Sequence, residues 1–378
     1  MAGIYIHIPF CRKACFYCDF HFSVSMKTKS EVLEALSNEI FERKGLIKDE
    51  VVESIYFGGG TPSVLSRAEL EGILSKIQDS FIIKQDAEVT FECNPDDLNP
   101  EYLQNLFDAG INRLSIGIQS FNDKHLKWMN RSHNNDQSIQ CISDAAAIGF
   151  KDITIDLIYG IPQMSTEEWV DTVKKALQMP VNHLSAYSLT LEENTPYHKL
   201  VTQEKYMKPN DDLASEHFNK LVDIATEYGW EHYEVSNFCK VGNYSKHNTS
   251  YWQNKKYLGL GPSAHSFDHE CRYWNVSSNK EYVRLSQENK PTYEKEILSG
   301  ADRLNEVLLT GLRTKWGVDL DAINDHFQYD IKSDYKNEIE EWDSNGWLRL
   351  VGSRLILSST GLLFADYIAS ELFLLETV

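Results

Sequence analysis

Three cysteines near the start of the chain carry the most specific chemical signal in the sequence. Cys11, Cys15 and Cys18 follow an apolar segment with the spacing Cys-x3-Cys-x2-Cys. The short spacers keep the three thiolates close enough to converge on one centre. Three ligands for four irons leave one iron of a [4Fe–4S] cluster open. We therefore predict such a cluster; the alternatives are a structural zinc site with His21 as fourth ligand and three unrelated core cysteines.

A second set of polar residues falls near the ends of segments that are predicted as strands. Glu92 and Asp156 are acids in apolar strands, Gln119 ends another strand, and the run Gly58-Gly59-Gly60 ends a fourth. Burying an acid is costly unless it has a partner. Glu92 and Asp156 are therefore each expected to have a partner, which a structural salt bridge could supply. For the glycine run taken alone, an ordinary turn is the commoner explanation.

The elements that must position these residues alternate between strand and helix. The predicted strands, each followed by a helix, are residues 3–10, 51–57, 87–93, 113–119, 152–159 and 183–191. Such units pair their strands in parallel with right-handed crossovers, and barrel enzymes carry their sites at the carboxyl ends of the strands. Cys11, Gly59, Glu92, Gln119 and Asp156 would then share one rim. Six units predict an α/β fold with a partial (β/α)6 barrel, and a doubly wound sheet is the alternative.

The second half of the chain is less regular. Residues 231–267 are rich in aromatic residues, His, Asn and Gly, and are predicted as loops with short strands. Predicted helices at 302–313, 320–327 and 332–344, a hairpin at 347–357 and a last helix at 362–375 indicate a small winged-helix-like α+β domain. The expected organisation is a barrel over residues 1–235, a connecting segment over 236–300 and a C-terminal domain over 301–378.

Composition excludes several classes of protein. The 378 residues are 42% hydrophobic, which is enough for a core, and the net charge is −19 without a basic patch. A nucleic-acid partner is therefore disfavoured. No segment reaches the roughly 18 apolar residues of a membrane span, and the start of the chain lacks the basic region of a signal peptide. We expect a cytoplasmic protein, and 7 cysteines without a regular framework do not predict a disulfide scaffold.

The motifs around the cysteines resemble a known family. Tyr-Ile-His-Ile-Pro-Phe-Cys at 5–11 and Cys-Phe-Tyr-Cys-Asp-Phe at 15–20 are similar to the radical-SAM proteins related to oxygen-independent coproporphyrinogen III oxidase. This resemblance implies a [4Fe–4S] cluster on Cys11, Cys15 and Cys18 with S-adenosylmethionine (SAM) on the open iron. In that family the reduced cluster cleaves SAM to methionine and a 5′-deoxyadenosyl radical.

The resemblance continues along most of the chain and implies further cofactor-binding residues. The glycine motif at 58–63 is similar to the one that lets the methionyl part of SAM approach, and Arg131 follows Gln119 at the spacing of the family. For Gln119 and Arg131 the alternative is a pair of solvated loop residues. In the oxidase, some of the matching residues contact a second SAM molecule. The residues implied in cofactor binding are Tyr5, Tyr17, Gly59, Gly60, Thr61, Glu92, Gln119, Arg131 and Asp156.

Other positions indicate which branch of the family the chain resembles. The oxidase has a further cysteine where this chain has Phe20, and a longer N-terminal extension than the ten residues before Cys11. Both departures match the branch of heme chaperones called HemW. His-Asn-Thr-Ser-Tyr-Trp at 247–252 also matches the His-Asn-x-x-Tyr-Trp motif of that branch, which is associated with heme binding. His247 is the hypothetical axial ligand, with His7 and His265 as rivals and a merely hydrogen-bonded loop histidine as the alternative.

The resemblance leaves three functions open. The first is a heme-binding protein that delivers heme to acceptors such as respiratory-chain proteins. The second is the oxidase itself, which converts coproporphyrinogen III to protoporphyrinogen IX by two radical decarboxylations, and the third is a radical-SAM enzyme for another substrate. Whether the protein is an enzyme therefore stays open at this point.

Overall fold

Six parallel strands form the central part of the protein in the computed structural model, which describes residues 1–375. The elements of this part are β1 (Ala2–Ile8), α1 (Lys29–Arg43), β2 (Val51–Gly59), α2 (Arg67–Ser80), β3 (Ile82–Cys93), α3 (Pro100–Asp108), β4 (Arg113–Gln119), α4 (Asp123–Trp128), α5 (Asn135–Ile148), β5 (Asp152–Tyr159), α6 (Thr166–Gln178) and β6 (His183–Ser188). Each strand pairs in parallel with the next one along the chain. The predicted partial (β/α)6 barrel is therefore confirmed.

Local signals explain why these elements form where they do. The capping boxes predicted at Ser66 with Glu69 and at Ser165 with Glu168 are both present at the start of α2 and α6. Each satisfies two backbone N–H groups that a helix start leaves without partners. The outward-facing residues Ile4, Ile6 and Ile8 of β1 are fully buried, as expected of a strand covered by helices.

The sheet continues beyond both edges of the six-stranded part. The elements that follow are α7 (Pro196–Thr202), α8 (Asp211–Glu227), β7 (Trp230–Glu234), β8 (Asn237–Lys240), α9 (Lys246–Trp252), β9 (Lys256–Leu260), β10 (His265–Phe267), β11 (Cys271–Asn275), α10 (Asn279–Gln287) and β12 (Tyr293–Ile297). The order in the sheet is β12-β11-β10-β9-β1-β2-β3-β4-β5-β6-β8-β7. The short strands that were predicted are present, and β9 adds to β1 in parallel.

A buried carboxylate joins the added strands to α1. Glu39 is 2% exposed and forms an ion pair with Arg43, one turn along the same helix, at 3.5 Å. The same carboxylate accepts hydrogen bonds from the Gly261 N–H, the Tyr282 hydroxyl, the Asn275 amide and the Thr292 hydroxyl. The Arg43 guanidinium in turn donates to the carbonyl of Gly259. This network fixes β9, β11 and α10 against the barrel.

The C-terminal part has its own hydrophobic core. Its elements are α11 (Gly300–Leu312), β13 (Val318–Asp319), α12 (Leu320–Phe327), α13 (Ile331–Asp334), α14 (Lys336–Ser344), β14 (Leu348–Val351), β15 (Arg354–Leu357) and α15 (Ala365–Glu371). The three strands form a small sheet in the order β13-β15-β14. The predicted small α+β domain is confirmed, although the helix expected at 332–344 is divided at Tyr335 and the last helix ends at Glu371.

Within residues 1–375, none of the helices is both long and apolar enough to cross a membrane.

The Glu39 network generates a stability prediction. Replacing Glu39 with Ala leaves the Arg43 charge and several donors buried without their acceptor, so the free energy of unfolding should fall by about 3–5 kcal/mol. Urea unfolding followed by circular dichroism measures this change. Glu42→Ala, on the same helix and exposed, is the matched control. A Glu39→Ala midpoint equal to that of the control would show that the network does not stabilise the fold.

Candidate functional site

A cavity of about 600 Å³ runs from the carboxyl-terminal rim of the sheet into the interior of the barrel. Its walls hold most of the residues that the sequence singled out. The predicted residues that line it are Cys11, Cys15, Tyr17, Cys18, Gly59, Gly60, Thr61, Glu92, Gln119, Arg131 and Asp156. Tyr5 and His247 do not line the cavity. Both stack on Tyr56, which does line it.

The three cysteines lie on a loop that backbone hydrogen bonds attach to the barrel. The Cys11 N–H donates to the carbonyl of Ser23, and the Phe16 N–H donates to the carbonyl of Met129. Burial raises the pKa of the Cys11 thiol to about 11 and that of Cys18 to about 12. Both side chains therefore need a bound cation to stay as thiolates at neutral pH.

Two donors already point at the cysteine sulfurs. The Thr61 hydroxyl donates to Cys11 Sγ at 3.3 Å, and Arg131 Nη1 donates to Cys15 Sγ at 3.3 Å. Hydrogen bonds to cysteine sulfur are one means by which proteins tune iron–sulfur clusters. Within residues 1–375, no three Cys, His, Asp or Glu side chains form a preassembled metal site. The donor chemistry of the loop nevertheless fits a cluster with three thiolate ligands.

His21, which the zinc alternative requires, is engaged elsewhere. Its Nε2 lies 2.8 Å from the Asn279 side-chain oxygen at the start of α10, and its carbonyl oxygen lies 2.9 Å from His7 Nε2. Recruiting His21 as a fourth zinc ligand would break the bond to Asn279. The structure thus gives the zinc alternative no support.

Arg131 joins the cysteine loop to the ends of two strands. Its Nη2 donates to the Asn94 side-chain oxygen at 2.8 Å and to the Gly117 carbonyl at 2.7 Å. Its Nε is buried and has no partner in the described part of the chain. Beside it, Gln119 has a positive φ of 66°, a conformation that is uncommon outside glycine. This unpaired N–H is a donor that an acceptor of a ligand in the cavity lined by Arg131 would satisfy.

The two acids inside the barrel have no cationic partner among the described residues. Glu92 accepts a hydrogen bond from the Tyr56 hydroxyl at 2.8 Å, and Asp156 accepts from the Ser115 hydroxyl at 3.3 Å. Burial raises the pKa of Glu92 to about 7, with a further contribution from Asp156, and burial raises the pKa of Asp156 to about 6. Neither acid forms the salt bridge that was the structural alternative. A ligand with a positive charge, amino groups and hydroxyls would supply the missing donors, and SAM has all three.

The glycine motif is required by the packing of the backbone itself. A Cβ at Gly60 would lie 2.7 Å from the carbonyl oxygen of Ile8 and from the backbone nitrogen of Phe10. The Gly60 N–H also donates to that Ile8 carbonyl. Gly60 therefore allows the end of β2 to touch the backbone just before Cys11. The predicted contact with the methionyl part of SAM stays a prediction.

The histidine of the His-Asn-x-x-Tyr-Trp motif is part of the core. His247 is 1% exposed; its Nδ1 lies 2.9 Å from the Ser54 hydroxyl and its Nε2 lies 2.8 Å from the Tyr251 hydroxyl. Burial lowers the pKa of His247 to about 3, so the ring is neutral. The ring stacks on Tyr56 at a centroid distance of 5.0 Å. Iron ligation by His247 would break one of its hydrogen bonds, and its role in heme binding stays a prediction.

Sequence reasoning missed Tyr56 and Asn94 as members of the site. Tyr56 alternates inward on β2, and this period-2 pattern could have revealed it as a cavity residue. Asn94 follows β3 directly, and its contact with Arg131 has no local sequence signal.

Comparison with known proteins places this geometry in context. The profile of the radical SAM superfamily matches residues 5–176, and that of the HemN C-terminal domain matches 298–364. The heme chaperone HemW of Lactococcus lactis is 33% identical over 99% of this chain and 97% of the relative. The heme chaperone HemW of Bacillus subtilis is 30% identical, with 97% of each chain covered.

A mitochondrial radical S-adenosyl methionine domain-containing protein 1 of Mus musculus is 32% identical over 97% of this chain and 82% of the relative. Among solved structures, coproporphyrinogen III oxidase (HemN) from Escherichia coli has a TM-score of 0.83 at 23% identity and covers 98% of this chain and 89% of its own. At this identity the likeness shows the fold alone. The superfamily uses a [4Fe–4S] cluster and SAM, and the donors that line the cavity fit both.

Glu92 gives a prediction for pH dependence. Its folded pKa of about 7 lies above the ordinary 4.5, so the folded state binds its proton more tightly and loses stability as the pH rises between these values. Glu92→Gln keeps the acceptor for Tyr56 without the charge. The variant without cofactors should be more stable than the original protein at pH 8, by at most about 3 kcal/mol, and equal to it near pH 4.5.

Thermal unfolding as a function of pH measures this difference. Glu101→Gln, an exposed position on α3, is the control and should show no such trend. A constant difference between Glu92→Gln and the original protein from pH 5 to 8 would contradict the buried, uncompensated carboxylate.

Gly60 gives a prediction for cluster loading. The Cβ of Gly60→Ala would push the Cys11 backbone away from β2, so less iron and sulfide should be bound per chain after anaerobic reconstitution. Gly72→Ala on α2, where a Cβ meets nothing within 4 Å, is the matched control. Equal iron content in the two variants would show that the close backbone contact is not needed for the cluster.

Proposed function

Because the chain belongs to the HemW family of heme chaperones, we propose that it binds heme and delivers it to acceptor proteins. The observation that carries this proposal is the likeness to heme chaperones over the whole chain, at 33% identity over 99% of its length. The acceptors are proposed to be proteins of the respiratory chain, and the place of action the cytoplasm.

We propose that Cys11, Cys15 and Cys18 hold the cluster. When bound, the cluster and SAM supply one-electron chemistry at the open iron. Thr61 and Arg131 donate hydrogen bonds to two of the cysteine sulfurs.

Other residues of the same cavity are proposed to bind SAM and to position the groups that bind it. Glu92 and Asp156 would accept hydrogen bonds from the amino and hydroxyl groups of SAM, and these bonds would offset the cost of burying the two acids. Tyr56 orients the Glu92 carboxylate through its hydroxyl. Gln119, Arg131 and Tyr17 line the same cavity, while Tyr5 supports it from behind through its stack on Tyr56.

We propose that the three parts of the chain have different functions. Residues 1–235 carry the cluster and SAM, residues 236–300 carry the heme-binding motif, and residues 301–378 dock the acceptor or cover the open barrel. Supporting this division, the profile of the HemN C-terminal domain begins at residue 298.

The second candidate is the oxygen-independent coproporphyrinogen III oxidase, favoured by the fold shared with HemN. Against it, the position of the further oxidase cysteine is occupied by Phe20, whose side chain is 68% exposed.

The distinguishing prediction concerns heme retention and turnover. We expect the protein, reconstituted anaerobically with an intact cluster, to keep a heme absorbance band through gel filtration and to transfer heme to an apo-acceptor. It should form no protoporphyrinogen from coproporphyrinogen III with SAM and a strong reductant. An active oxidase in the same assay is the positive control.

Two results would contradict the chaperone function. Sustained turnover of coproporphyrinogen III would establish the oxidase instead. Loss of the heme band on gel filtration from a protein with full iron content would remove the basis for heme delivery.

A further inference from the structure

An exposed histidine lies beside the barrel rim without a hydrogen-bond partner. His265 begins β10, and within residues 1–375 its imidazole accepts or donates no hydrogen bond. The rings of His247 and His7, by contrast, each use both nitrogens. A histidine can ligate iron only through a nitrogen that is free and unprotonated. His265 meets the first requirement without any rearrangement.

The pairing of β10 with β11 surrounds His265 with complementary side chains. His265 lies directly opposite Trp274, and Phe267 lies opposite Arg272. Residues opposite each other in an antiparallel pair, and residues two apart in one strand, point to the same face. His265, Phe267, Arg272 and Trp274 therefore share one face, which we name the β10–β11 face.

The His-Asn-x-x-Tyr-Trp motif lies behind this face and supports it. The rings of His247 and Tyr251 are 4.9 Å apart, those of Tyr251 and Tyr257 are 4.6 Å apart, and those of Tyr257 and Phe267 are 6.2 Å apart. Tyr257 also lies opposite Phe267 in the β9–β10 pairing. A continuous row of aromatic rings thus runs from the motif histidine to the β10–β11 face.

The face also lies beside the cysteine loop. Because β9 pairs with β1 in parallel, Leu260 lies opposite Ile6, and both strands end at the same rim. Gly261 packs against the backbone of His7, where a Cβ would lie 2.5 Å from the carbonyl oxygen. His265 therefore sits four residues beyond a contact with β1, on the rim that leads to Cys11.

The chemistry of the β10–β11 face matches the three parts of a heme. An imidazole ligates the iron, an indole offers a flat apolar surface for the macrocycle, and a guanidinium pairs with a propionate. Trp274 is partly buried, and the Arg272 side chain is 39% exposed while it pairs with Glu306. The cation can thus reach an anionic group at the surface.

We propose that His265 is the axial ligand of the heme, with Trp274 against the macrocycle and Arg272 on a propionate. In this assignment His247 and Tyr251 are positioning residues, which hold the β10–β11 face through Tyr257 and Phe267. The inference rests on the proposed function, since it names the site at which that function binds heme.

Titration of the cluster-loaded protein with hemin tests the ligand. His265→Ala should weaken hemin binding by at least about tenfold and shift the heme absorbance band, and added imidazole should restore the spectrum of the original protein. His326→Ala removes an exposed histidine on α12, outside the β10–β11 face, and should change neither. Circular dichroism and the thermal midpoint establish that both variants are folded.

The propionate contact has its own measurement. The original protein should bind hemin more tightly than hemin dimethyl ester, and Arg272→Gln should abolish this preference. The same preference in the Arg272→Gln variant would overturn the role of Arg272.

The possible failures are distinguishable. If the original protein and His265→Ala bind hemin with equal affinity and the same spectrum, His265 is not the ligand, while heme binding itself stands. If His247→Gln, folded by the same criteria, alone loses the ligand signature, the motif histidine is the ligand and this inference is wrong. If the original protein binds no hemin, the proposed function and this inference fail together.

Discussion

The position of β1 inside the sheet is the constraint on which the rest of the structure depends. β1 has parallel partners on both sides, β2 and β9, although β9 follows it by some 250 residues in the chain. Parallel pairing brings the carboxyl ends of all three strands to one rim. The cysteine loop after β1, the glycine motif after β2 and the turn to β10 after β9 are therefore neighbours. The fully buried isoleucines on the outer face of β1 anchor this arrangement, each by roughly 1.5–3 kcal/mol of apolar burial.

Hydrogen bonds within the protein satisfy the polar groups inside the barrel only in part, and the remainder is available to a ligand. Tyr56 donates a hydrogen bond to Glu92 and Ser115 donates to Asp156, but neither acid forms a salt bridge among residues 1–375, and burial raises the pKa of both. A cationic ligand with hydroxyl groups supplies the missing partners on binding. The same groups that destabilise the empty barrel thus supply its affinity, a common relation between stability and function.

The sequence predicted the features that depend on neighbouring residues, and it did not predict the contacts between residues that are distant in the chain. The six βα units, the capping boxes at Ser66 and Ser165 and the shared rim follow from local periodicity and spacing. The pairing of β9 with β1 has no local signal, because parallel partners distant in the chain share no turn. The engagement of both ring nitrogens of His247 was equally invisible, since Ser54 lies on another strand. The motif predicted that His247 matters, and the structure shows what it contacts.

His247 in the core and His265 at the surface differ in how strongly their surroundings fix them. The core ring is fixed by Ser54, Tyr251 and the stack on Tyr56, so any substitution there disturbs β2, α9 and the neighbouring aromatic row. A surface ligand carries no such cost, and heme that must later be released is better held by one exposed imidazole than by a buried pocket. Delivery requires that the bound state be only moderately stable and open to the acceptor, because exchange is governed chiefly by the rate of dissociation. An exposed site on β10, beside the rim of the sheet, meets that requirement.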